Sequence, residues 1–424
     1  MTGMYLDAAS TEPVSEDVIR AMMPFLTEAY ANPMSVHSAG KTAAKALEAA
    51  RASLAADLGA RPDDVIFTSG GTESDNLAVK GIAMARIRRM RDAYGESVTP
   101  RIIVSSIEHP AVLESARWLE RWFGCEVVEI PVDAQAHIDL DALRGELEQG
   151  RLDVPSETAK PRNATVLVSA MLANNEVGTV EPVDDIARIA HACGVPLHVD
   201  AVQAAGQIPI RMREWDVDAM SLSGHKFGTP KGLGALLLRS RVPIEPLING
   251  GGQERSLRSG TQNVAGAVAL AVALRDANTR MRGIQRQLVA SRDRLIDAVM
   301  RVEPKARLTG DPMRRLPGHA SFVFPGLSGE ALLVDLDARG IACSSGSACA
   351  VGRHEAPGTL LAMGYAEPVA KSAVRMTFRE PLAPEQINQI AAAVEESCTS
   401  LCAASTVHDA SINVQAQLFM SNNG

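Results

Sequence analysis

Short apolar runs alternate with amphipathic segments between about residues 60 and 240, and this alternation constrains the fold more than any other feature. Helical spacing is found between several of the runs, for example over residues 74–90 and 183–193. Buried strands that alternate with helices predict an α/β domain around a mostly parallel, seven-stranded sheet. The runs predicted as strands are residues 65–67, 102–104, 127–130, 166–168, 197–199, 220–222 and 235–238.

A second unit is predicted after this alternating region. A long helical stretch runs from about residue 263 to 302, and a smaller α+β region follows it. We therefore predict a large domain over residues 15–262 and a small domain formed by residues 1–14 and 263–402. Residues 150–162 are polar and contain two prolines, which indicates a loop. Residues 403–424 lose the periodicity and are predicted to form a mobile tail.

Composition and charge exclude several classes of protein. The 424 residues are 46% hydrophobic and 22% charged, as expected for a globular chain with a large core. The net charge of -8 argues against direct binding to nucleic acid or to an anionic membrane. We find neither a signal-peptide pattern nor an apolar run long enough to cross a bilayer. The six cysteines are scattered, which predicts a reduced, cytoplasmic setting.

The end of the first predicted strand carries a glycine-rich motif. Ligands of parallel sheets bind at the carboxyl ends of the strands, so the residues just after each run are the candidates. Residues 68–74, with the sequence Thr-Ser-Gly-Gly-Thr-Glu-Ser, follow the first run and open a helix. Gly71 allows close approach of a ligand, the first N–H groups of the helix favour an anion, and Thr72 adds a hydroxyl. The alternative is a tight strand-to-helix turn.

Two further strand ends carry a carboxylate and a lysine. Asp200 follows the run 197–199, where it needs a partner such as a protonated heterocyclic nitrogen, unless it is a helix N-cap. Lys226 follows the run 220–222, and a desolvated lysine is a nucleophile that can form a Schiff base. Its rival, Lys231, lies in a turn predicted at the surface. A phosphate cradle, a carboxylate and a lysine together are what pyridoxal phosphate requires.

A histidine and an arginine extend this predicted site. His109 follows a fourth strand, where an imidazole can stack on a flat cofactor and transfer protons. The alternative is a structural histidine bonded to a loop. Arg375 alternates with apolar residues as on a strand, and its fork suits the carboxylate of an amino-acid substrate. The alternative for Arg375 is an ion pair within the protein.

The cysteines of the second unit differ in their surroundings. Cys349 lies in a stretch rich in Ser, Gly and Ala, which is typical of a flexible loop and predicts an exposed, reactive thiol. A structural cysteine is the alternative. Cys343, directly after apolar residues, is predicted to be buried and inert. Cys398 and Cys402 have helical spacing but no further metal ligand nearby, so both are predicted to be packing residues.

With these motifs, the chain resembles the cysteine desulfurases of the class V aminotransferase group, which share the fold type I architecture of pyridoxal-phosphate enzymes. The resemblance extends from Tyr5 to about residue 395. It also rests on Asn32-Pro33 with Val36-His37, and on residues 173–178, 250–254, 257–261 and 344–349.

The resemblance implies a role for each matching residue. Lys226 would hold the cofactor, and Cys349 would carry the sulfur as a persulfide. Thr261 would reach the cofactor phosphate of the neighbouring subunit, which implies a homodimer. The other implied roles are phosphate binding by Gly71, Thr72, Ser223 and His225, ring binding by Asp200, Gln203 and His109, and binding of the L-cysteine substrate by Asn175 (which also contacts the cofactor), Arg375 and Asn32.

The implied activity is conversion of L-cysteine to L-alanine, with the sulfur passed from Cys349 to acceptor proteins. The acceptors would be iron–sulfur scaffold proteins or proteins of tRNA thiolation, and Cys349 is also a candidate transient ligand of an iron–sulfur cluster. Alternatives are a selenocysteine lyase or another class V lyase or aminotransferase. A non-catalytic sulfur carrier is a further alternative, disfavoured by the presence of Lys226, Asp200 and Cys349 together.

The chain departs from the pattern of this family at a few positions. Glu12 stands where threonine is usual, and Arg379-Glu380 replaces a frequent Gly-Arg. Residues 353–359 lack the usual Ser-His. These departures lie outside the residues expected to perform the chemistry.

Overall fold

The computed structural model describes residues 3–152, 162–346 and 356–421, and it describes side chains up to residue 403, except that of residue 162. Cys349, expected to receive the sulfur, lies outside the described residues.

The strands appear where apolar runs were predicted, and several short strands join them. Side chains of the central strands are buried along their whole length, as expected for strands covered on both faces. The strands are β1 (Met4–Tyr5), β2 (Val65–Thr68), β3 (Arg101–Ser105), β4 (Glu126–Ile130), β5 (Arg151–Leu152), β6 (Arg162–Asn163), β7 (Thr165–Met171), β8 (Leu197–Asp200), β9 (Ala219–Ser223), β10 (Gly234–Leu238), β11 (Arg307–Leu308), β12 (His319–Val323), β13 (Ile341–Ala342) and β14 (Ala373–Thr377).

Helices fill most of the connections between these strands. One of them, predicted as a single helix over residues 74–90, begins earlier at Gly71 and contains a π-helical turn at Leu77–Gly81. The helices are α1 (Glu16–Met22), α2 (Pro24–Thr27), α3 (Ser38–Asp57), α4 (Gly71–Asn76), α5 (Ile82–Tyr94), α6 (Pro110–Phe123), α7 (Leu140–Gln149), α8 (Val183–Ala192), α9 (Val264–Val302), α10 (Gly329–Ala338), α11 (Gly358–Ala362), α12 (Glu367–Ala370) and α13 (Pro384–Ser421).

A seven-stranded sheet forms the centre of the larger unit, with the strand order β2-β10-β9-β8-β7-β3-β4. Neighbouring strands are parallel except for β10, which runs antiparallel to both β2 and β9. Separate hydrophobic clusters cover the two faces of the sheet. The predicted α/β fold with a mostly parallel sheet is confirmed, and it brings the carboxyl ends of β2, β8 and β9 to one edge.

A three-stranded antiparallel sheet, β11-β12-β14, forms the core of the smaller unit. The N-terminal strand β1 pairs with β13, and Leu6 packs in the same cluster as Phe322 and Phe324. The first residues of the chain thus pack with its last third, as the predicted division expects. The limits of the two domains themselves remain predictions.

Two long helices complete the fold. The predicted helix between the units is α9, which spans 39 residues. The backbone of α13 is helical to Ser421 and so includes most of the segment 403–424, whose mobility remains a prediction. Within the part of the chain that the structure describes, no helix combines the length and apolar character needed to cross a membrane.

Candidate active site

A cavity of about 520 Å³ opens at the carboxyl edge of the large sheet, beside the smaller unit. Most of the residues predicted from the sequence line it: Gly71, Thr72, His109, Asn175, Asp200, Gln203, Ser223, His225, Lys226 and Arg375. Asn32 and Thr261 are exposed and do not line this cavity. The residues predicted at the strand ends thus meet in one cavity, because parallel strands place their carboxyl ends at a common edge.

Lys226 lies in a short helical turn, Gly224–Lys226, directly after β9. Its Nζ donates hydrogen bonds to the carbonyl oxygens of Ala9 (2.6 Å) and Ser10 (3.0 Å). Burial lowers the pKa of this amine to about 8, and nearby arginines act in the same direction. A substantial neutral fraction is thus present near pH 8, which is what attack on an aldehyde requires. Lys231 also lines the cavity but is exposed.

Asp200 ends β8 and is 6% exposed. Its Oδ1 accepts a hydrogen bond from the backbone N–H of Val202 at 2.8 Å. A turn rather than a helix follows Asp200, so the alternative of a helix N-cap was wrong. Burial raises the pKa of Asp200, while His109 and Lys226 lower it. A cationic ring nitrogen bonded to this carboxylate would favour its ionised form in the same way.

His109 caps the N-terminus of α6, where its Nδ1 accepts a hydrogen bond from the backbone N–H of Ala111 at 3.1 Å. An accepting Nδ1 assigns the proton of the neutral ring to Nε2. Burial lowers the pKa of His109, which favours this neutral form. His109 can therefore have a structural role and also face a cofactor, because Nδ1 caps the helix while the ring lines the cavity.

The glycine-rich motif forms a close approach between α4 and β9. A methyl group at Gly71 would lie 2.8 Å from Cγ2 of Val202 and 3.2 Å from Cβ of Ser223, so a larger residue does not fit. Gly70 has a φ angle of 152°, which side chains other than hydrogen rarely allow. The glycine-rich motif therefore forms a tight strand-to-helix turn, which was the alternative interpretation, and it also lines the cavity, where a ligand can approach it.

Sequence reasoning missed an ion pair that holds this turn. Oε2 of Glu73 accepts a hydrogen bond from the backbone N–H of Ser69 at 2.8 Å, and Oε1 lies 2.9 Å from Nε of Arg258. Hydrogen bonds from Arg258 and Ser69 lower the pKa of Glu73 despite its burial. The only sequence signal was an acidic residue in the first turn of a helix, which is common without any partner.

Arg258, the partner of Glu73, follows a short loop segment with an unusual backbone. Glu254, Arg255 and Ser256 all have positive φ angles, between 45° and 63°, which is uncommon for consecutive residues other than glycine. The buried carboxylate of Glu254 accepts two hydrogen bonds from Arg51, at 2.7 and 2.9 Å, and one from the backbone of Phe67. These contacts fix the loop, which ends near Thr261, onto strand β2.

Two further buried acids lie close to Asp200: Asp75, which also lines the cavity, and Glu108. Burial and the neighbouring Asp200 raise the pKa values of both Asp75 and Glu108 well above their ordinary range. His198 bonds to the hydroxyls of two strand serines and lies 3.7 Å from Asp75, and burial lowers its pKa to about 3. Burial thus favours the neutral forms of Asp75, Glu108 and His198, whereas His109 and Lys226 favour the ionised form of Asp200.

Arg375 lies on β14 and is 2% exposed. Its Nη1 donates to the carbonyl oxygens of Asn175 and Gly346, at 2.7 and 2.9 Å. Its Nη2 lies 2.7 Å from Oδ1 of Asp7. The ion pair within the protein, which was the alternative for this arginine, is present. The Nε atom makes no hydrogen bond to any described residue.

The lining residues fit pyridoxal phosphate. Lys226 supplies an amine for the aldehyde, and Asp200 a buried carboxylate for the ring nitrogen. Gln203 donates through Nε2 to the carbonyl of Ala9, while its buried Oε1 has no partner among the described residues. An acceptor in that position matches a ring hydroxyl. The cradle at Gly71 is shaped by close contacts that a side chain would fill.

Three other cysteines were assigned from the sequence. Cys343 is partly buried, and burial raises its pKa to about 12, which agrees with an inert thiol. Cys398 is buried in the core of the smaller unit, as predicted. The prediction that Cys402 is a packing residue was wrong, because its position on α13 leaves it exposed. Among the described residues, no cluster of side chains is arranged to bind a metal ion.

Comparison with known proteins places the chain in a family. The class-V aminotransferase model matches residues 4–388. An IscS-like cysteine desulfurase of Mycobacterium tuberculosis is 44% identical over 376 residues, covering 88% of this chain and 91% of the relative. The cysteine desulfurase IscS of Methanosarcina thermophila is 39% identical over 393 residues, covering 93% and 91%. A solved NifS-like protein has a TM-score of 0.81 at 35% identity, covering 94% of this chain and 100% of that one.

The fold, the cavity and these similarities define the class: the chain is a class-V aminotransferase, a fold type I enzyme that depends on pyridoxal phosphate. Within that class it belongs to the cysteine desulfurase family.

Proposed function

We propose that this chain is a cysteine desulfurase that converts L-cysteine to L-alanine and takes the sulfur onto Cys349 as a persulfide. The observation that carries the proposal is the convergence of Lys226, Asp200 and Arg375 on one cavity. An amine with a lowered pKa, a buried carboxylate and a buried guanidinium are the groups that a pyridoxal-phosphate enzyme needs for an amino-acid substrate.

Pyridoxal phosphate, when bound, supplies an electron sink that weakens the Cα–H bond of the substrate. Lys226 would hold its aldehyde and, once released by the substrate amine, would accept the Cα proton. Asp200 would keep the ring nitrogen protonated, while His109 would stack on the ring and Gln203 would bind its hydroxyl. The phosphate would lie against Gly71, Thr72, Ser223 and His225, with Thr261 of a neighbouring subunit completing the cradle.

Arg375 would bind the substrate carboxylate, with Asn175 and Asn32 as further contacts. The position of Arg375 supports this role, because a guanidinium that lines the cavity near Lys226 can hold the carboxylate while the amine end of the substrate reaches the cofactor. Asn32 is exposed and does not line this cavity, so its contact would require a change of position or a second subunit.

Cys349 is proposed as the sulfur acceptor. Gly346 lines the cavity and accepts a hydrogen bond from Arg375. Cys349 follows three residues later, and three residues of extended chain span at most about 11 Å. This short tether supports a thiolate that can reach the substrate sulfur, form the S–S bond as the substrate C–S bond breaks, and release alanine after a proton is returned to carbon.

The test is production of alanine from L-cysteine by the purified protein with pyridoxal phosphate bound, together with sulfide once an added thiol reduces the persulfide. The variant Cys349→Ala should lose sulfide release but keep the visible absorbance of the bound cofactor. The exposed thiol of Cys402 offers a matched control, and Cys402→Ala should retain full activity. Full turnover by Cys349→Ala would contradict the assignment. Faster reaction with selenocysteine, or amino transfer to a keto acid, would favour the alternative activities instead.

The wider setting is also proposed. Thr261 is exposed and does not line the cavity of its own chain, which supports a homodimer in which it completes the partner's site. Acceptor proteins of iron–sulfur assembly or tRNA thiolation would take the sulfur, in a cytoplasmic setting. Cys349 would also serve as a transient ligand of an iron–sulfur cluster if it binds iron together with such an acceptor. Light scattering during chromatography tests the dimer, and transfer of ³⁵S from labelled cysteine to a purified scaffold protein tests the acceptor.

A further inference from the structure

Residues 7–12, here called the N-terminal strap, cross the cavity and contact both of its buried cations. The first contact is with Lys226, whose Nζ donates to the carbonyl oxygens of Ala9 and Ser10 at 2.6 and 3.0 Å. A neutral amine has two N–H bonds and one lone pair. When the strap carbonyls accept both N–H bonds, the lone pair of the Lys226 nitrogen can point in only one direction. The strap therefore sets the direction in which this nitrogen can accept a proton.

The second contact is with Arg375. Its Nη2 donates to Oδ1 of Asp7 at 2.7 Å and to Oγ of Ser10 at 3.0 Å. These bonds hold the plane of the guanidinium, and its buried Nε has no partner among the described residues. All four Nη hydrogens of Arg375 thus have acceptors, and Nε carries its remaining N–H, whose direction the contacts with the strap help to fix.

The strap is anchored to both units of the molecule. The backbone N–H of Ala9 donates to the hydroxyl of Thr377 at 2.9 Å, which ties the strap to the end of β14. The backbone N–H of Glu12 donates to the carbonyl of His225 at 3.0 Å, next to Lys226. A shift of either anchor would move the groups that face the cavity.

A buried charge network holds the far end of the strap. The carboxylate of Glu12, 8% exposed, accepts hydrogen bonds from Nε of Arg379 and, at 3.2 Å, from Arg280 on α9. Glu380 lies 3.9 Å from Arg280. Glu12 and the pair Arg379-Glu380 were the separate departures from the family pattern, and the structure shows that they contact one network. Glu12 supplies the negative charge that the guanidinium of Arg379 requires, and Arg379 supplies the positive charge that the carboxylate of Glu12 requires.

We propose that the N-terminal strap is a positioning element of the active site, held in register by the Glu12–Arg379 pair. It orients the amine of Lys226 through its carbonyl groups and the fork of Arg375 through Asp7 and Ser10. The inference rests on the proposed function only for the identity of the substrate. Glu12 touches neither substrate nor cofactor in this scheme and acts through the strap.

The experiment compares Glu12→Gln with the double variant Glu12→Gln/Arg379→Gln in the full chain with pyridoxal phosphate bound. The single variant leaves Arg379, whose side chain is 10% exposed, without its carboxylate partner, whereas the double variant removes both charges of the pair. We expect the single variant to lose about 10- to 100-fold in kcat/KM for L-cysteine, because misplacement by about 1 Å costs up to roughly 100-fold. The double variant should recover most of this loss.

A second readout does not depend on turnover. Burial lowers the pKa of the free Lys226 amine, Arg375 and Arg379 lower it further, and Asp7 and Asp200 raise it. The same charges would act on this nitrogen when it holds the cofactor, and the visible absorbance of the bound cofactor would report its protonation. His109 and His225 are the neighbouring imidazoles whose pKa values Lys226 lowers. With Arg379 no longer neutralised, the midpoint in Glu12→Gln should fall by about 0.5 pH unit or more, and it should return in the double variant.

The matched control is Glu16→Gln, which removes an exposed carboxylate four residues further along the chain and should change neither readout. A Glu12→Gln protein that loses thermal stability, yet keeps wild-type kcat/KM and titration midpoint, would show that the network is only structural and would overturn the proposal. If the wild-type chain produced no alanine from cysteine, the desulfurase function would fail, while the absorbance titration would still decide the role of the strap.

Discussion

Glu73 and Arg258 form an ion pair, with 2.9 Å between Oε1 and Nε, that joins the glycine-rich cradle to the loop preceding Thr261. The same carboxylate accepts a hydrogen bond from the backbone N–H of Ser69, so the pair links both ends of the cradle at the wall of the cavity. We predict that Arg258→Gln raises the dissociation constant of pyridoxal phosphate about tenfold, as expected for one lost charged hydrogen bond. Equilibrium dialysis measures this constant.

A matched control for Arg258→Gln is Arg211→Gln, which removes an exposed arginine paired with Glu214 and should leave cofactor affinity unchanged. Equal affinity of Arg258→Gln and the wild-type protein would show that the pair does not support the cradle.

Lys226 and Lys231 provide a direct comparison, because both line the cavity but Lys231 is exposed, whereas Lys226 is partly buried and has a pKa lowered to about 8. Lys226→Ala should abolish covalent fixation of the cofactor by borohydride and all activity, since the amine is the attacking group. Lys231→Ala should retain fixation. Mass spectrometry of the reduced protein identifies the modified residue, and a cofactor fixed on any other lysine would refute the assignment.

Asp200 and Asp75 should differ sharply when each is replaced by asparagine. Burial and the neighbouring Asp200 raise the pKa of Asp75 well above its ordinary value and so favour the neutral acid, and Asp75→Asn should reduce kcat/KM by less than about threefold. Asp200→Asn removes the carboxylate proposed to bind the ring nitrogen of the cofactor and should cost about 10²- to 10³-fold. Steady-state kinetics with L-cysteine distinguishes the two, and similar losses in both variants would contradict this division of roles.

His137 should make stability depend on pH. The carboxylate of Glu181, 3.9 Å from Nδ1, and that of Asp311, 2.8 Å from Nε2, raise its pKa from 6.5 to about 9. Burial raises the pKa of Glu181 as well, whereas that of Asp311 falls to about 2, so the bond to Asp311 is the firmer of the two contacts. A histidine with a raised pKa stabilises the fold fully below pH 6.5 and loses this effect as the pH rises through 9.

The variant His137→Gln should therefore lower the free energy of unfolding by about 2 kcal/mol at pH 6. The difference from the wild type should shrink towards pH 9.5. Urea denaturation at a series of pH values measures it, and a difference independent of pH would show that packing rather than charge accounts for the effect.

The sequence predicted the residues at the strand ends better than the contacts between distant segments. Lys226, Asp200 and Gly71 could be placed together because each follows a recognisable apolar run. Arg375 was predicted to face a substrate, and the structure shows in addition its pair with Asp7, 368 residues away. Helical spacing predicted that Cys402 packs as Cys398 does, but Cys402 is exposed on α13, whereas Cys398 lies in the core of the smaller unit.

By itself, then, the sequence determined the α/β sheet, the edge at which the site lies and the groups that call for pyridoxal phosphate. Period-two and helical patterns, together with the rule that parallel strands end at one edge, are local properties of the chain. Only the tertiary structure decided how those groups are oriented. The strap reaches Lys226 across 217 residues, and Glu12 meets Arg379 across 367. Such contacts depend on how the two units pack, and no spacing within the chain encodes them.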